Sequence, residues 1–147
     1  MKAYLTWGVG QSKSKVLAMQ NAQASASINK IKINKLDKLE IEKCDVIESK
    51  KELAKLRGEH FGIVLQNCAK GEVASALVVE VTEDKLVIGH GKAGGAIKAE
   101  RLAQAEVKNT IQKEKLKTEG INYHIVANAQ SAKDQYSCAI VALVLVK

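Results

Sequence analysis

The apolar stretch Cys138–Val146, with the sequence CAIVALVLV, decides the fold class of this chain. It contains no charged residue, so neither face of a strand built from it would meet water. A strand that is apolar on both faces lies in the middle of a sheet and is covered by further layers on both sides. The sequence therefore predicts a layered structure with this strand at its centre.

Hydrophobic periodicity outside this stretch predicts two longer helices and several more strands. Val16, Met19 and Ala22 recur at helical spacing, which predicts a helix that Ser12 or Ser14 caps. In chain order, the predicted elements are a strand over Ala3–Trp7, a helix over Lys15–Ile28, a strand over Leu39–Ile47, a short helix over Lys50–Leu56, strands over Glu59–Cys68, Val73–Val81 and Leu86–His90, a helix over Ala96–Lys117 with Gly120 as its C-cap, and strands over Ile121–Gln130 and Tyr136–Val146.

Short connections between these elements favour antiparallel sheets. Ala69–Glu72 has the length of a hairpin turn and contains Gly71, where a positive φ is expected. No linker, repeat or low-complexity tract divides the 147 residues. The sequence therefore predicts a single α/β (α+β) domain over residues 1–147, a layered sandwich of mainly antiparallel strands with helices packed outside.

Two glycine-containing segments are predicted to be irregular. Gly8–Ser12 is interpreted as a turn and Gly89–Gly95 as a flexible loop. The second segment precedes a helix, and backbone amides at a helix N-terminus can hold an anion. It lacks the Gly-Lys-Ser/Thr ending of a phosphate loop, so Gly91 and Lys92 are candidate ligand-binding residues without a nucleotide motif.

The charge pattern bears on nucleic-acid binding. The formal net charge is +7, but lysines are spread over the chain beside acidic residues, and aromatic residues make up only 3%. Proteins that bind single-stranded nucleic acids stack bases on aromatic side chains, for which this chain offers little. A solvated Lys/Glu surface is favoured, and a basic nucleic-acid-associated protein is kept as an alternative.

Cysteine count and hydropathy bear on the compartment. The three cysteines are odd in number and widely spaced, which argues against a disulfide framework and favours a reducing cytoplasm. No signal peptide or membrane-spanning stretch is recognised, so no membrane partner is expected. The cysteines and the three histidines do not show metal-ligand spacing, and no metal is expected.

Four stretches point to one known family: the strand start Gly71–Ala76, the polar turn at Asp84 and Lys85, the helix segment Lys98–Glu100 and the closing strand from Cys138. They resemble the corresponding segments of the pyruvoyl-dependent arginine decarboxylases of archaea and some bacteria. The similarity is strongest from Gly62 to Lys147, whereas Trp7–Ile28 matches only in its order of strand, glycine segment and alanine-rich helix.

This resemblance implies a fold, an assembly and a chemistry. The family consists of αββα sandwiches that form trimers with active sites between subunits. A precursor cleaves itself at a Ser-Ser bond, and the second serine becomes a pyruvoyl group that forms a Schiff base with the substrate amine. The group then acts as an electron sink when carbon dioxide leaves.

Three positions that the resemblance marks as functional are changed. The resemblance implies that the serine pair lies on the strand after the first helix. It falls on Lys43-Cys44 if the later strand anchors the alignment, and on Asn34-Lys35 if the first helix does. The catalytic acid falls in Ile88–Lys92, which contains no carboxylate. The family's acidic residue on the first helix, which would meet a cationic side chain of the substrate, maps near Gln20, so Gln20 is a candidate ligand-binding residue with a neutral amide. Cys44 is then a candidate nucleophile and His90 a candidate proton donor, since a thiol and an imidazole can serve these roles.

These changes lead to the main hypothesis of a diverged homologue without pyruvoyl chemistry. It would be a trimeric ligand-binding or regulatory pseudoenzyme with intersubunit pockets for a small amine or amino acid. The first alternative is an active decarboxylase of an arginine-like amino acid, self-processed at Cys44. No cofactor is expected unless that cleavage produces a pyruvoyl group.

Overall fold

The computed structural model describes residues 1–147 as an α+β sandwich, which confirms the predicted fold class. A five-stranded sheet in the order β2-β5-β9-β1-β4 packs against a four-stranded sheet in the order β3-β7-β6-β8. The elements are β1 (Lys2–Ser12), α1 (Lys15–Ser25), β2 (Ile31–Lys35), β3 (Glu40–Glu42), β4 (Asp45–Ile47), α2 (Lys50–Leu53), β5 (Gly58–Lys70), β6 (Val73–Thr82), β7 (Lys85–Ala93), α3 (Ala96–Glu114), β8 (Thr118–Ala129) and β9 (Tyr136–Val146).

Strand β9 is the centre of the molecule, as its sequence predicts. It pairs with β1 on one side and β5 on the other, and Ser137–Val144 are all buried. Val141 and Leu143 pack into the core between the two sheets. Ile140 and Val144 point to the opposite face, where they pack beneath α1. Helix α3 covers the outer face of the four-stranded sheet, which completes the αββα order.

The predicted turn at Gly8–Ser12 is wrong, because β1 continues through it to Ser12. A Cβ atom at Gly8 would collide with the carbonyl oxygen of Ala22, and one at Gly10 with that of Ala18. These glycines therefore allow α1 to approach the strand closely, a role that does not require a turn. The predicted N-cap is confirmed, since the Ser14 side chain accepts a hydrogen bond from the backbone N–H of Leu17 at 3.3 Å.

The predicted flexible loop at Gly89–Gly95 is wrong for the same reason. Strand β7 runs to Ala93, so only Gly94 and Gly95 connect it to α3. Added Cβ atoms at Gly89 and Gly91 would collide with the carbonyl oxygens of Ala103 and Ala99. The glycines bring α3 onto the strand, and Gly91 is buried beneath the helix.

Three other predicted segments differ from the structure. Ile31–Lys35, a basic and polar stretch to which the sequence analysis assigns no element, is strand β2 at the edge of the five-stranded sheet. Leu39–Ile47 is not one strand, because β3 joins the four-stranded sheet and β4 the five-stranded one. Ala69–Glu72 does not form a hairpin, because it carries the chain from one sheet to the other, although Gly71 has the expected positive φ of 90°. The predicted C-cap Gly120 lies within β8, and Lys115, with a φ of 53°, ends α3 instead.

The expectation that the cysteines would not pair is wrong for two of them. Cys68 and Cys138 lie directly opposite each other on β5 and β9 and are joined in a disulfide. Cys44 is free. No helix of the chain is long and apolar enough to cross a membrane.

Candidate functional site

Cys44, the candidate nucleophile, lies at the corner between β3 and β4 and is half-buried. Burial raises the pKa of its thiol above the usual value; the Met1 ammonium opposes this shift, and the carboxylates of Asp45 and Glu42 add to it. Attack on a carbonyl requires the thiolate, which a raised pKa disfavours at neutral pH. Cys44 therefore lies in surroundings that suppress its nucleophilicity.

His90, the candidate proton donor, lies within β7 and contacts α3. Its ring Nδ1 is 3.6 Å from Oε2 of Glu106, and its backbone N–H donates to Oε1 of the same carboxylate at 3.3 Å. The sequence analysis missed Glu106, because its approach to His90 depends on how closely α3 packs over the β7 glycines. Helix α3 thus brings the carboxylate of Glu106 to His90, although the segment Ile88–Lys92 itself contains no carboxylate.

Gln20 and Lys92, two of the candidate ligand-binding residues, are exposed on different elements. Gln20 lies on α1, one residue after Met19, whose sulfur accepts a hydrogen bond from the Gln66 side chain at 2.7 Å. The Lys92 ammonium donates to the backbone carbonyl of Gln66 at 3.4 Å. Gln66 on β5 therefore contacts Lys92 directly, but it contacts only Met19, the neighbour of Gln20, on α1. The backbone of Gly91, the third candidate, is covered by α3.

Cys44 and His90 do not meet within one chain. Glu42, two residues before Cys44, pairs with Lys85 at the start of β7. His90 lies five residues farther along the same strand in the direction away from Cys44, which is roughly 17 Å at the rise of a β-strand. A single subunit cannot combine the two side chains in one site.

The strand that follows the first helix is β2, and it contains Asn34 and Lys35. It pairs in parallel with β5, with Asn34 opposite Phe61 and Lys35 opposite Gly62. The Asn34 side-chain amide donates to Oε2 of Glu59 at 3.5 Å. Of the two positions considered for the serine pair, Asn34-Lys35 is the one that lies on this strand.

Glu59 ties β2 to β5 and keeps a negative charge beside it. Its Oε1 is 3.3 Å from the Lys32 ammonium. Hydrogen bonding from Lys32, and then from Asn34, lowers the pKa of the Glu59 carboxyl. The carboxyl group is therefore ionised at neutral pH.

A cavity of about 410 Å³ opens at the same end of the five-stranded sheet. Its apolar wall includes Leu36, directly after β2, and Phe61, whose side chain is 54% exposed. The remaining lining residues are Met1, Glu59, His60, Leu145, Val146 and Lys147. The sequence analysis missed this cavity, because it contains no local motif and forms where β5, β9 and the segment after β2 meet.

No group of three or more histidine, cysteine or carboxylate side chains is positioned to share a metal ion. The family model for pyruvoyl-dependent arginine decarboxylase matches residues 2–147, which is almost the entire chain. Comparison with curated proteins finds no match.

Proposed function

This chain belongs to the pyruvoyl-dependent arginine decarboxylase family, and we propose that it is a member that forms no pyruvoyl group and binds a ligand instead. The proposed assembly is a homotrimer with pockets between subunits, and the proposed ligand is a small amine or amino acid. The cytoplasmic location expected from the sequence is part of this proposal. The observation that carries it is that β2, the strand after the first helix, holds Asn34 and Lys35 and no serine.

A pyruvoyl group requires a residue whose Cβ carries a hydroxyl or a thiol. That group attacks the preceding carbonyl carbon, and the ester or thioester so formed is then lost by β-elimination. The Cβ of Lys35 carries only a methylene group, so neither step has the atom that it needs. No two serines are adjacent anywhere in the sequence. The residues on β2 therefore do not fit the cofactor, and we derive no catalytic step through it.

The cavity next to β2 supports a binding role. An ionised carboxylate, that of Glu59, lies at a wall that is otherwise formed largely by Leu36, Phe61 and Leu145. A carboxylate attracts ammonium and guanidinium groups through charge-assisted hydrogen bonds, and the apolar wall suits the hydrocarbon part of the same ligand. This combination favours a cationic amine with an aliphatic chain.

Exposed apolar side chains support the proposed homo-oligomer. Val16 and Leu17 on α1 are 57% and 51% exposed, and Phe61 borders the cavity. Neighbouring copies that cover such side chains remove apolar surface from water. Where the copies meet, the cavity becomes an intersubunit pocket.

Calorimetric titration with arginine, combined with measurement of carbon dioxide release, tests the binding proposal. The wild-type protein is expected to bind arginine and to release no more carbon dioxide than a protein-free control. Glu59→Gln is expected to weaken binding about tenfold, because it removes one charge-assisted contact. Glu83→Gln is the matched control, since Glu83 forms a comparable exposed ion pair with Lys117 but does not line the cavity. Equal loss of affinity in both variants, or no binding by the wild type, contradicts the proposal.

The second candidate function is an active amino-acid decarboxylase that is self-processed at Cys44. The His90–Glu106 contact favours it, because a histidine beside a carboxylate can hold and deliver a proton. In this case two subunits would have to bring Cys44 of one chain to His90 of another. Cleavage before Cys44 would leave a chain that ends at Lys43.

A further inference from the structure

Cys68 and Cys138 occupy facing positions in the antiparallel ladder between β5 and β9. Their Cα atoms are 4.1 Å apart, which is the close spacing of a pair whose backbones do not hydrogen-bond each other. Side chains approach most closely at such pairs. The two sulfur atoms are therefore held together by the strand register, whether or not they are bonded.

The two cysteines differ in their access to solvent. Cys138 is completely buried and packs in the core beneath α1, where it lies opposite Gly10 of β1. Cys68 is only partly buried at the margin of the same core. Lys70 follows on the same face of β5, with its ammonium 5.5 Å from the Tyr136 ring. Cys68 is thus the more accessible of the two cysteines to an oxidant from solvent.

We propose that Cys68 and Cys138 form a reversible thiol–disulfide couple whose oxidant is a small-molecule disulfide of the glutathione class. The Cys68 thiolate attacks one sulfur of the oxidant and releases one small thiolate, which leaves a mixed disulfide on Cys68. The Cys138 thiolate then attacks the Cys68 sulfur and releases the second small thiolate. Two protein thiols lose two electrons and two protons, and the small disulfide is reduced to two thiols.

The cross-link encloses most of one layer, since only β3 of the four-stranded sheet lies outside it. Strands β6, β7 and β8 and helix α3 all lie between Cys68 and Cys138, which are 70 residues apart in sequence. Closing so long a segment restricts the unfolded chain. The oxidised protein is therefore expected to melt roughly 10 °C above the reduced protein.

Thiol counting by alkylation and intact mass tests the couple on the folded, full-length protein. The folded protein is reduced with dithiothreitol, freed of reductant and incubated with glutathione disulfide, and it is then denatured and alkylated so that the buried Cys138 is also counted. Cys44→Ala is the matched control, because Cys44 packs against the core between the sheets, away from the pair. We expect the wild type to retain one alkylatable thiol and Cys44→Ala to retain none. Dithiothreitol should restore the thiols and reverse the melting shift in both proteins.

Two single variants identify the order of attack. Cys138→Ala is expected to accumulate one glutathione adduct on Cys68, because the second step is blocked. Cys68→Ala is expected to form no adduct on the buried Cys138 and to show no dithiothreitol-dependent melting shift. The proposal is overturned if oxidised wild type keeps three alkylatable thiols, if dithiothreitol fails to restore them, or if Cys68→Ala forms an adduct on Cys138. None of these results depends on whether the chain forms a pyruvoyl group.

Discussion

Strands β9 and β2 belong to the same sheet but face opposite physical constraints. β9 lies at the centre, with residues 137–144 buried, whereas β2 lies at the edge and has no buried residue. A polar change in β9 would leave an unsatisfied group in the core, while a polar change in β2 meets water. The comparison shows that the edge strand β2 tolerates the replacement of its residues far better than β9 does, which the proposed loss of the serine pair from β2 requires.

Paired truncations in the two strands should give the largest difference. Leu143→Ala removes a completely buried side chain from the core between the sheets, and we expect it to lower the free energy of unfolding by about 3 kcal/mol. Lys35→Ala, at an exposed position of β2, should change it by no more than about 0.5 kcal/mol. Urea denaturation of both variants measures the contrast. Similar losses of unfolding free energy in the two variants would contradict the contrast between the central strand and the edge strand.

Alanine substitutions at Gly89 and Gly94 should show a smaller difference in the free energy of unfolding, again between a tightly packed and an open position. Gly89→Ala places a Cβ against the carbonyl oxygen of Ala103, so α3 must move away from β7, at an expected cost of about 2 kcal/mol. Gly94→Ala is the matched control, since its nearest neighbour would be the Glu72 carbonyl oxygen at 3.9 Å. Its unfolding free energy should stay within about 0.5 kcal/mol of the wild type. A neutral Gly89→Ala would show that close helix packing does not explain this glycine.

The same glycines show why sequence reasoning succeeded for some elements and failed for others. The apolar run in β9 indicates a central strand, because both faces of such a strand must be covered. A glycine can have either of two roles, since it permits positive φ and also lets another backbone approach closely. Hydrophobic periodicity cannot distinguish these two roles. Gly71 adopts positive φ, whereas Gly89 and Gly91 allow the close approach of α3.

The candidate site was less predictable because its contacts join distant parts of the chain. The pairing of Cys68 with Cys138 depends on the β5–β9 register, and the contact of His90 with Glu106 depends on the packing of α3 on β7. Ile31–Lys35 alternates isoleucine with polar residues, a strand pattern that the sequence analysis did not use. The proposed assignment of the serine pair to Asn34-Lys35 depends on this strand.

Intact-mass measurement of the purified wild-type chain under reducing, denaturing conditions tests directly whether the chain cleaves itself to form a pyruvoyl group. A chain that is not self-processed gives one species with the mass of all 147 residues, and the same result is expected for Cys44→Ala after correction for the substitution. Two wild-type fragments, covering residues 1–43 and 44–147, that are absent from Cys44→Ala would contradict it. That result would show self-processing at Cys44.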